Sequence, residues 1–329
     1  MGTLLRPLAL PLAVLAVGLT GLVATRAAAT GTPRTHYRPL AQRAVIPAQT
    51  AAHPVTPAAP TPRPTPVPDP PATPAPPQTT VQTMLVGTVQ RQWEQISPGT
   101  GLAAGAPIIM VLHGQAVLAS DEVGRDGLAP LVSQNRAELV YPQGIDKSWN
   151  AGGGCCGGAG QLGIDDLDFV RDLATEVDPG HAHPIYLLGY SNGGRLAYSV
   201  ACNAPVLFDA YVVVAAMPQS GCGVTRPISI LQIAGTADPA IPYLPGQPGI
   251  ESPPATVQVA RLRATDACPA APASEQQGRL TLQTWTGCAA GTRVGFATYA
   301  GGDHGWPVGD ATTPAAAPVI WRFLSGRPW

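Results

Sequence analysis

The chain has 329 residues, 45 % of them hydrophobic and only 12 % charged, with a formal net charge of −1. So little charge gives no electrostatic basis for binding nucleic acid or an anionic membrane surface, and points to an uncharged partner. The length allows one large domain with extensions or two small domains, and the six cysteines suggest disulfides if the chain is exported.

Export is what the N-terminus predicts. Arg6 supplies a short positive region, Leu8 to Val23 is almost unbroken apolar sequence, and Ala27-Ala28-Ala29 offers a small-residue cleavage site. Residues 1–29 therefore read as a signal peptide. Its removal leaves a mature start near Thr30, a secreted product and no stable membrane insertion; the alternative is an uncleaved segment that holds the chain at the cell envelope. Residues 30–80 are dominated by Pro, Thr and Ala, with closely spaced prolines up to Pro77. Such a segment buries too little apolar surface to offset its ordering entropy and reads as a disordered or semi-rigid linker. An inert tail fits the same composition.

Residues 81–329 alternate between strand-like and helix-like runs. Met84 to Val89, Pro107 to Leu112 and Ala137 to Tyr141 read as strands. In Asp165 to Val177 the residues Leu167, Val170, Leu173 and Ala174 share one helical face. A buried strand, Ile185 to Leu188, precedes a helix that begins near Asn192 and passes through Leu196 and Val200. Tyr211 to Ala216 and Ile228 to Ala234 are further apolar runs of strand length, and Pro318 to Leu324 reads as a terminal helix. Strands alternating with helices imply an α/β domain with a mostly parallel sheet covered on both faces.

Chemistry concentrates at Gly189-Tyr190-Ser191-Asn192-Gly193, a G-x-S-x-G string placed directly after a strand and before a helix. In that setting the serine sits on a sharp turn with its hydroxyl exposed, and the glycines let strand and helix approach closely. A serine hydroxyl is a weak nucleophile without a base and an orienting carboxylate. Asp238, in a loop just past a strand, is the candidate acid; a turn-forming Asp-Pro is the plain alternative. Of the six histidines, His36 and His53 lie in the linker, and His181 and His183 in a loop before a strand. His304, in a glycine-rich loop before the last helix, is the one late enough for the order Ser, Asp, His. Asp303 is a rival acid, but adjacent side chains rarely face each other. His113-Gly114 follows a strand where an oxyanion loop belongs, which assigns the backbone N–H groups of Gln115 and Asn192 as oxyanion donors. His113 itself reads as a structural residue under that loop.

These strings, with Tyr141-Pro142-Gln143-Gly144, Ser148-Trp149-Asn150, Cys155-Cys156-Gly157-Gly158 and Gly302-Asp303-His304-Gly305-Trp306-Pro307, resemble the polyhydroxybutyrate depolymerase/feruloyl esterase family. Its members are secreted α/β-hydrolases related to carbohydrate esterase family 1. The resemblance runs from about Thr83 to the C-terminus and implies Ser191, Asp238 and His304 as a triad. Two positions depart from the family pattern: Ala234 stands where a histidine is frequent, and Gln115 where Cys, Gly or Ser is common. The family includes depolymerases, feruloyl esterases and acetyl xylan esterases, so membership implies the reaction more closely than the ester.

The reaction expected is hydrolysis of a carboxylic ester through an acyl-enzyme, with no metal and no cofactor. The substrate expected is a polyester or a plant polysaccharide ester. A serine peptidase or acyltransferase on the same fold is the first alternative, and a non-catalytic envelope or polysaccharide-binding protein the second. Trp306 and Trp149 flank the site in sequence and are candidates to stack on an acyl group or a sugar, with core packing as the other reading. Cys202 and Cys222 bracket a helix end and the next strand, and Cys268 and Cys288 bracket a polar, Gly-containing loop. These two pairs are the expected disulfides, each worth roughly 3 kcal/mol on the chain-entropy view. Cys155 and Cys156 are left over, either free or joined to each other.

Overall fold

The structure is a computed structural model that describes residues 75–249 and 253–327. The expected signal peptide, 1–29, lies outside the described residues, as does nearly all of the expected linker, 30–80. The first strand, β1 (Gln78–Val86), already begins inside the segment assigned to that linker. A second correction follows at once. Met84 to Val89 is not a single strand, because Gly87, with φ of +59°, turns the chain and β2 (Val89–Ser97) returns antiparallel to β1. Glycine suits such a two-residue hairpin turn because the positive φ carries no Cβ penalty.

The chain continues through β3 (Ile108–Leu112), α1 (Ala119–Arg125), α2 (Ala129–Ser133), β4 (Glu138–Pro142), α3 (Gly157–Gln161), α4 (Asp166–Val177), β5 (Ile185–Tyr190) and α5 (Asn192–Asn203). It closes with β6 (Ala210–Val214), β7 (Ile230–Gly235), α6 (Ala255–Thr265), β8 (Ala273–Gln277), β9 (Leu280–Trp285), β10 (Val294–Tyr299) and α7 (Ala316–Ser325). Among the described residues one sheet runs in the order β1-β2-β4-β3-β5-β6-β7-β10-β9-β8. From β4 to β10 the pairings are parallel, while the hairpins β1–β2 and β8–β9 attach antiparallel at the two edges. The polar, Gly-containing loop expected between Cys268 and Cys288 is therefore the β8–β9 hairpin, turning at Gly278.

The central strands show why the sheet must be covered twice. Along β3, Ile108, Met110 and Leu112 pack with α4, α5 and α6, whereas Ile109 and Val111 pack on the opposite side with α1, α2 and α7. All five are at most 2 % exposed. Alternating side chains that are all apolar demand a layer of helices on each face. Among the described residues no helix is long and apolar enough to cross a membrane. Three disulfides are formed: Cys202–Cys222 and Cys268–Cys288, as expected, and Cys155–Cys156.

Two buried polar clusters fix the loops around the sheet. Arg91 of β2 donates to Asp166 at 2.6 Å, both side chains at most 1 % exposed, and the guanidinium lies 3.9 Å from the centre of the Phe169 ring. The second carboxylate oxygen of Asp166 accepts the Asn150 N–H at 2.7 Å, so one residue anchors the inner strand of the β1–β2 hairpin, a helix start and the Ser148–Asn150 segment. Removing one partner of such a pair strands a buried charge. Asp166→Ala is expected to lower the unfolding free energy by about 3–5 kcal/mol in urea denaturation.

The second cluster lies at the end of α1. Asp126, 1 % exposed, accepts the Tyr141 hydroxyl at 2.7 Å and the Leu128 N–H at 2.8 Å. Burial nevertheless pushes its carboxyl up to about 7, because desolvation outweighs those bonds. A raised folded-state value means the folded chain holds the proton more tightly than the unfolded one. The stabilisation is complete below the unfolded value near 4 and is lost as pH rises to about 7. Asp126→Asn, which carries no titrating proton, is therefore expected to gain in Tm relative to the parent between pH 4 and pH 8. A Tm difference that shrinks over that range contradicts this.

Candidate active site

Ser191 stands between β5 and α5 with φ of +51° and ψ of −117°, a conformation unusual for a residue with a side chain. The turn is held from both sides. The Ser191 N–H donates to Val214 O at 2.9 Å and Ser191 O accepts the Arg195 N–H at 3.0 Å. A Cβ on Gly193 would run into the Leu112 carbonyl, and one on Gly189 into the Gly193 carbonyl. Only glycine at these two places lets α5 start so close to β3 and β5.

Loops after β7 and β10 bring the other two expected residues to the same carboxyl ends of the strands. Ser191 Oγ lies 2.9 Å from His304 Nε2, and His304 Nδ1 lies 2.9 and 3.1 Å from the two oxygens of Asp238. The Asp238 side chain is 1 % exposed and that of His304 is 32 % exposed, a buried carboxylate behind an accessible imidazole. Asp238 Oδ1 also accepts the Ala240 and Ile241 N–H groups at 2.8 and 2.9 Å, which fixes its plane. Asp303 is exposed and bonds the Gly305 N–H instead. The Tyr190 hydroxyl donates to His304 O at 2.8 Å and so ties the His304 loop to β5. Sequence reasoning passed over Tyr190; its place beside Ser191 in the motif was the available signal.

Asn192 opens α5, where a helix leaves its first N–H groups without intrahelical partners. Its side chain turns inward: Oδ1 accepts the Trp149 N–H at 2.8 Å and Nδ2 donates to Trp149 O at 2.9 Å. That clamp was also not foreseen. On the facing loop, His113 is fully buried, and burial pushes its imidazole down to about 4, so it is neutral. His113 Nε2 accepts the Gly144 N–H at 2.9 Å, which places the proton on Nδ1 to donate to Gly114 O at 2.7 Å. In a trans peptide the C=O and the following N–H point in opposite directions. Holding Gly114 O inward therefore turns the Gln115 N–H outward, and Gln115 itself is exposed.

Trp149 does not lie where a ligand ring could stack on it. Trp149 is fully buried, donates from Nε1 to His113 O at 2.9 Å and stacks against Phe169. Its expected substrate contact is corrected to support of the His113-Gly114 loop. Trp306 is 7 % exposed and meets Tyr190 at 6.1 Å with the two rings nearly perpendicular. The Cys155–Cys156 bridge borders the same region, with Arg195 Nη1 3.7 Å from Cys155 Sγ. Among the described residues no group of three or more His, Cys, Asp or Glu is placed to hold a metal ion.

No family model matches the chain. Among known proteins, NocK of Nocardia uniformis subsp. tsuyamanensis, a protein named as an esterase, is 30 % identical over 284 residues, covering 75 % of this chain and 80 % of NocK. Feruloyl esterase C of Emericella nidulans is 28 % identical over 196 residues, 58 % of this chain and 66 % of its own. Among solved structures, the acetyl xylan esterase from Aspergillus awamori superposes with a TM-score of 0.53 over 74 % of this chain and 98 % of its own. At 14 % identity that likeness concerns the fold alone, the α/β-hydrolase fold. With the resemblance carried by its motifs, the chain is a carboxylic ester hydrolase and belongs to the feruloyl esterase/polyhydroxybutyrate depolymerase family.

Proposed function

We propose that the chain is a secreted serine esterase that works through an acyl-enzyme, with Ser191 as nucleophile, His304 as base and Asp238 as the group that orients it. The observation that carries this is the continuous relay from Ser191 Oγ to His304 Nε2 and from His304 Nδ1 to Asp238. In the first half-reaction His304 takes the hydroxyl proton as Oγ attacks the ester carbonyl, then returns it to the departing alcohol. Asp238 keeps the Nδ1 tautomer and stabilises the imidazolium. The carbonyl oxygen, now negative, rests on the backbone N–H groups of Asn192 and Gln115. Water repeats the sequence on the acyl-enzyme and releases the acid.

The substrate class proposed is an ester of a plant polysaccharide or a polyester. Feruloyl esterase C among the relatives supports the first of these, and a site formed by surface loops suits a chain too large to enter a closed cavity. A panel of feruloylated sugar, acetylated xylan and hydroxybutyrate oligomers tests it; turnover of none of them, with rapid turnover of a peptide anilide, contradicts it. For export, N-terminal sequencing of secreted material is expected to begin near Thr30, and an intact Met1 contradicts cleavage.

The triad acts as a unit, which makes its variants strongly non-additive. Ser191→Ala and His304→Ala are each expected to lower kcat by roughly three orders of magnitude or more in folded protein, and the double variant by little beyond either. Asp238→Asn is expected to be milder yet severe, since it favours the wrong imidazole tautomer. Retention of more than about a tenth of the parent kcat by Ser191→Ala contradicts the assignment.

A further inference from the structure

The segment between β6 and β7, residues 215–229, contains no helix and runs over the surface beside α6, where Val224 O accepts the Thr265 hydroxyl at 3.3 Å. Two hollows lie between this segment and α6. One, of about 360 Å³, is bordered by Gln219, Ser220, Cys222 and Arg261; the other, of about 370 Å³, by Cys222, Arg261 and Thr265. Because Cys222 and Arg261 border both, the two form one groove. Val257, Arg261 and Thr265 are spaced four apart, so the groove follows one face of α6 for about 12 Å.

The end of the groove at Gln219 is tied to the candidate active site. Val214 O holds the Ser191 N–H, and Gln219 follows Val214 by five residues, at most about 18 Å of chain. A Cβ on Gly153 would sit 4.0 Å from Gln219 Oε1. The loop that carries Gly153 returns to the site through the Cys156 N–H, which donates at 3.0 Å to Trp149 O, the carbonyl that Asn192 also clamps. The Cys202–Cys222 disulfide pins the shared wall to the end of α5, the helix that begins at Asn192.

Arg261 is exposed and, among the described residues, makes no hydrogen bond, ion pair or ring contact. No Asp or Glu borders either hollow. An arginine placed there offers its planar fork of donors to an outside carboxylate. The neighbouring wall suits a chain of sugars. The Ser220 hydroxyl is exposed and equally unpartnered, and a Cβ on Gly221 or Gly223 would meet nothing within 4 Å, so bare peptide groups face the groove. Sugar hydroxyls both donate and accept, whereas a polyester offers acceptors and methyl groups but no donors along its length.

We propose that this groove is a subsite for a polysaccharide that bears carboxylate groups: Arg261 pairs with a uronic acid unit while an ester on the same chain lies at Ser191. The inference rests on the polysaccharide-ester reading under the proposed function and narrows it to an acidic polysaccharide. An exposed ion pair is worth little by itself. Its effect is therefore a choice among polymers, not a change in the chemistry at the ester.

The test measures, by isothermal titration calorimetry on the full chain, the binding of two xylo-oligosaccharides that differ only in one uronic acid substituent. The parent is expected to bind the acidic one about threefold more tightly, an advantage that shrinks as ionic strength rises. Arg261→Gln is expected to bring that ratio to about one, Arg261→Glu to take it below one, and Arg261→Lys to keep it above one. Each ratio compares two ligands on one protein, so a partly unfolded variant still reports it. Equal binding of the two by the parent overturns the proposal, and so does a preference that survives in Arg261→Gln and Arg261→Glu. A hydroxybutyrate oligomer that binds the parent more tightly than the acidic sugar, and loses that affinity in Arg261→Gln, also overturns it. Turnover of acetylated xylan separates the two readings. If it is hydrolysed while the parent shows no preference for the acidic oligosaccharide, only this inference fails. If no acetylated or feruloylated xylan is hydrolysed, the polysaccharide-ester reading fails and the groove stands or falls on the binding ratio.

Discussion

Everything at the site depends on how closely α5 can start against β3 and β5. Ser191 occupies a conformation that few residues with a side chain adopt, and it stays there because its neighbours leave no room for relaxation. Gly189 and Gly193 remove the Cβ atoms that would push helix and strand apart, and the Val214 carbonyl takes the Ser191 N–H. The strain is offset by the core beneath: β3, β5 and β6 are buried on both faces, and unwinding the turn would disturb both layers.

From that fixed point the remaining groups are brought in by hydrogen bonds rather than by long-range design. Tyr190 reaches across to the His304 carbonyl, Asn192 clamps Trp149, and Trp149 supports the His113 carbonyl. The Asn192 and Trp149 bonds are buried and the Tyr190 bond partly so; away from water such bonds are stronger and an unmade partner is expensive. The loops carrying His304 and His113-Gly114 are therefore tied to the turn at Ser191.

Much of this was legible in the sequence. The apolar runs that became β3, β4, β5 and β7, and the periodic stretches that became α4, α5 and α7, fix the mostly parallel sheet. Ser191, Asp238 and His304 were identifiable from motif and order, and the structure brings them within hydrogen-bonding distance. What escaped did so for physical reasons. The β1–β2 hairpin hid its turn in a run that looked continuous, and β8 is a wholly exposed polar edge strand with no apolar alternation. Helix α1 has only seven residues, too few to display a periodic face. Trp149 misled because proximity in sequence to Ser191 does not say which way a ring points: it turns inward and braces the site rather than lining it.

The central claim is that a single serine at a strained turn takes the acyl group. The most direct measurement is peptide mapping by mass spectrometry after reaction with diisopropyl fluorophosphate. The account requires one phosphoryl group per chain, on Ser191, with loss of esterase activity in proportion to labelling and no label on the His304→Ala protein over the same time. Stoichiometric label on a different serine, or full esterase activity in protein labelled at Ser191, would contradict it.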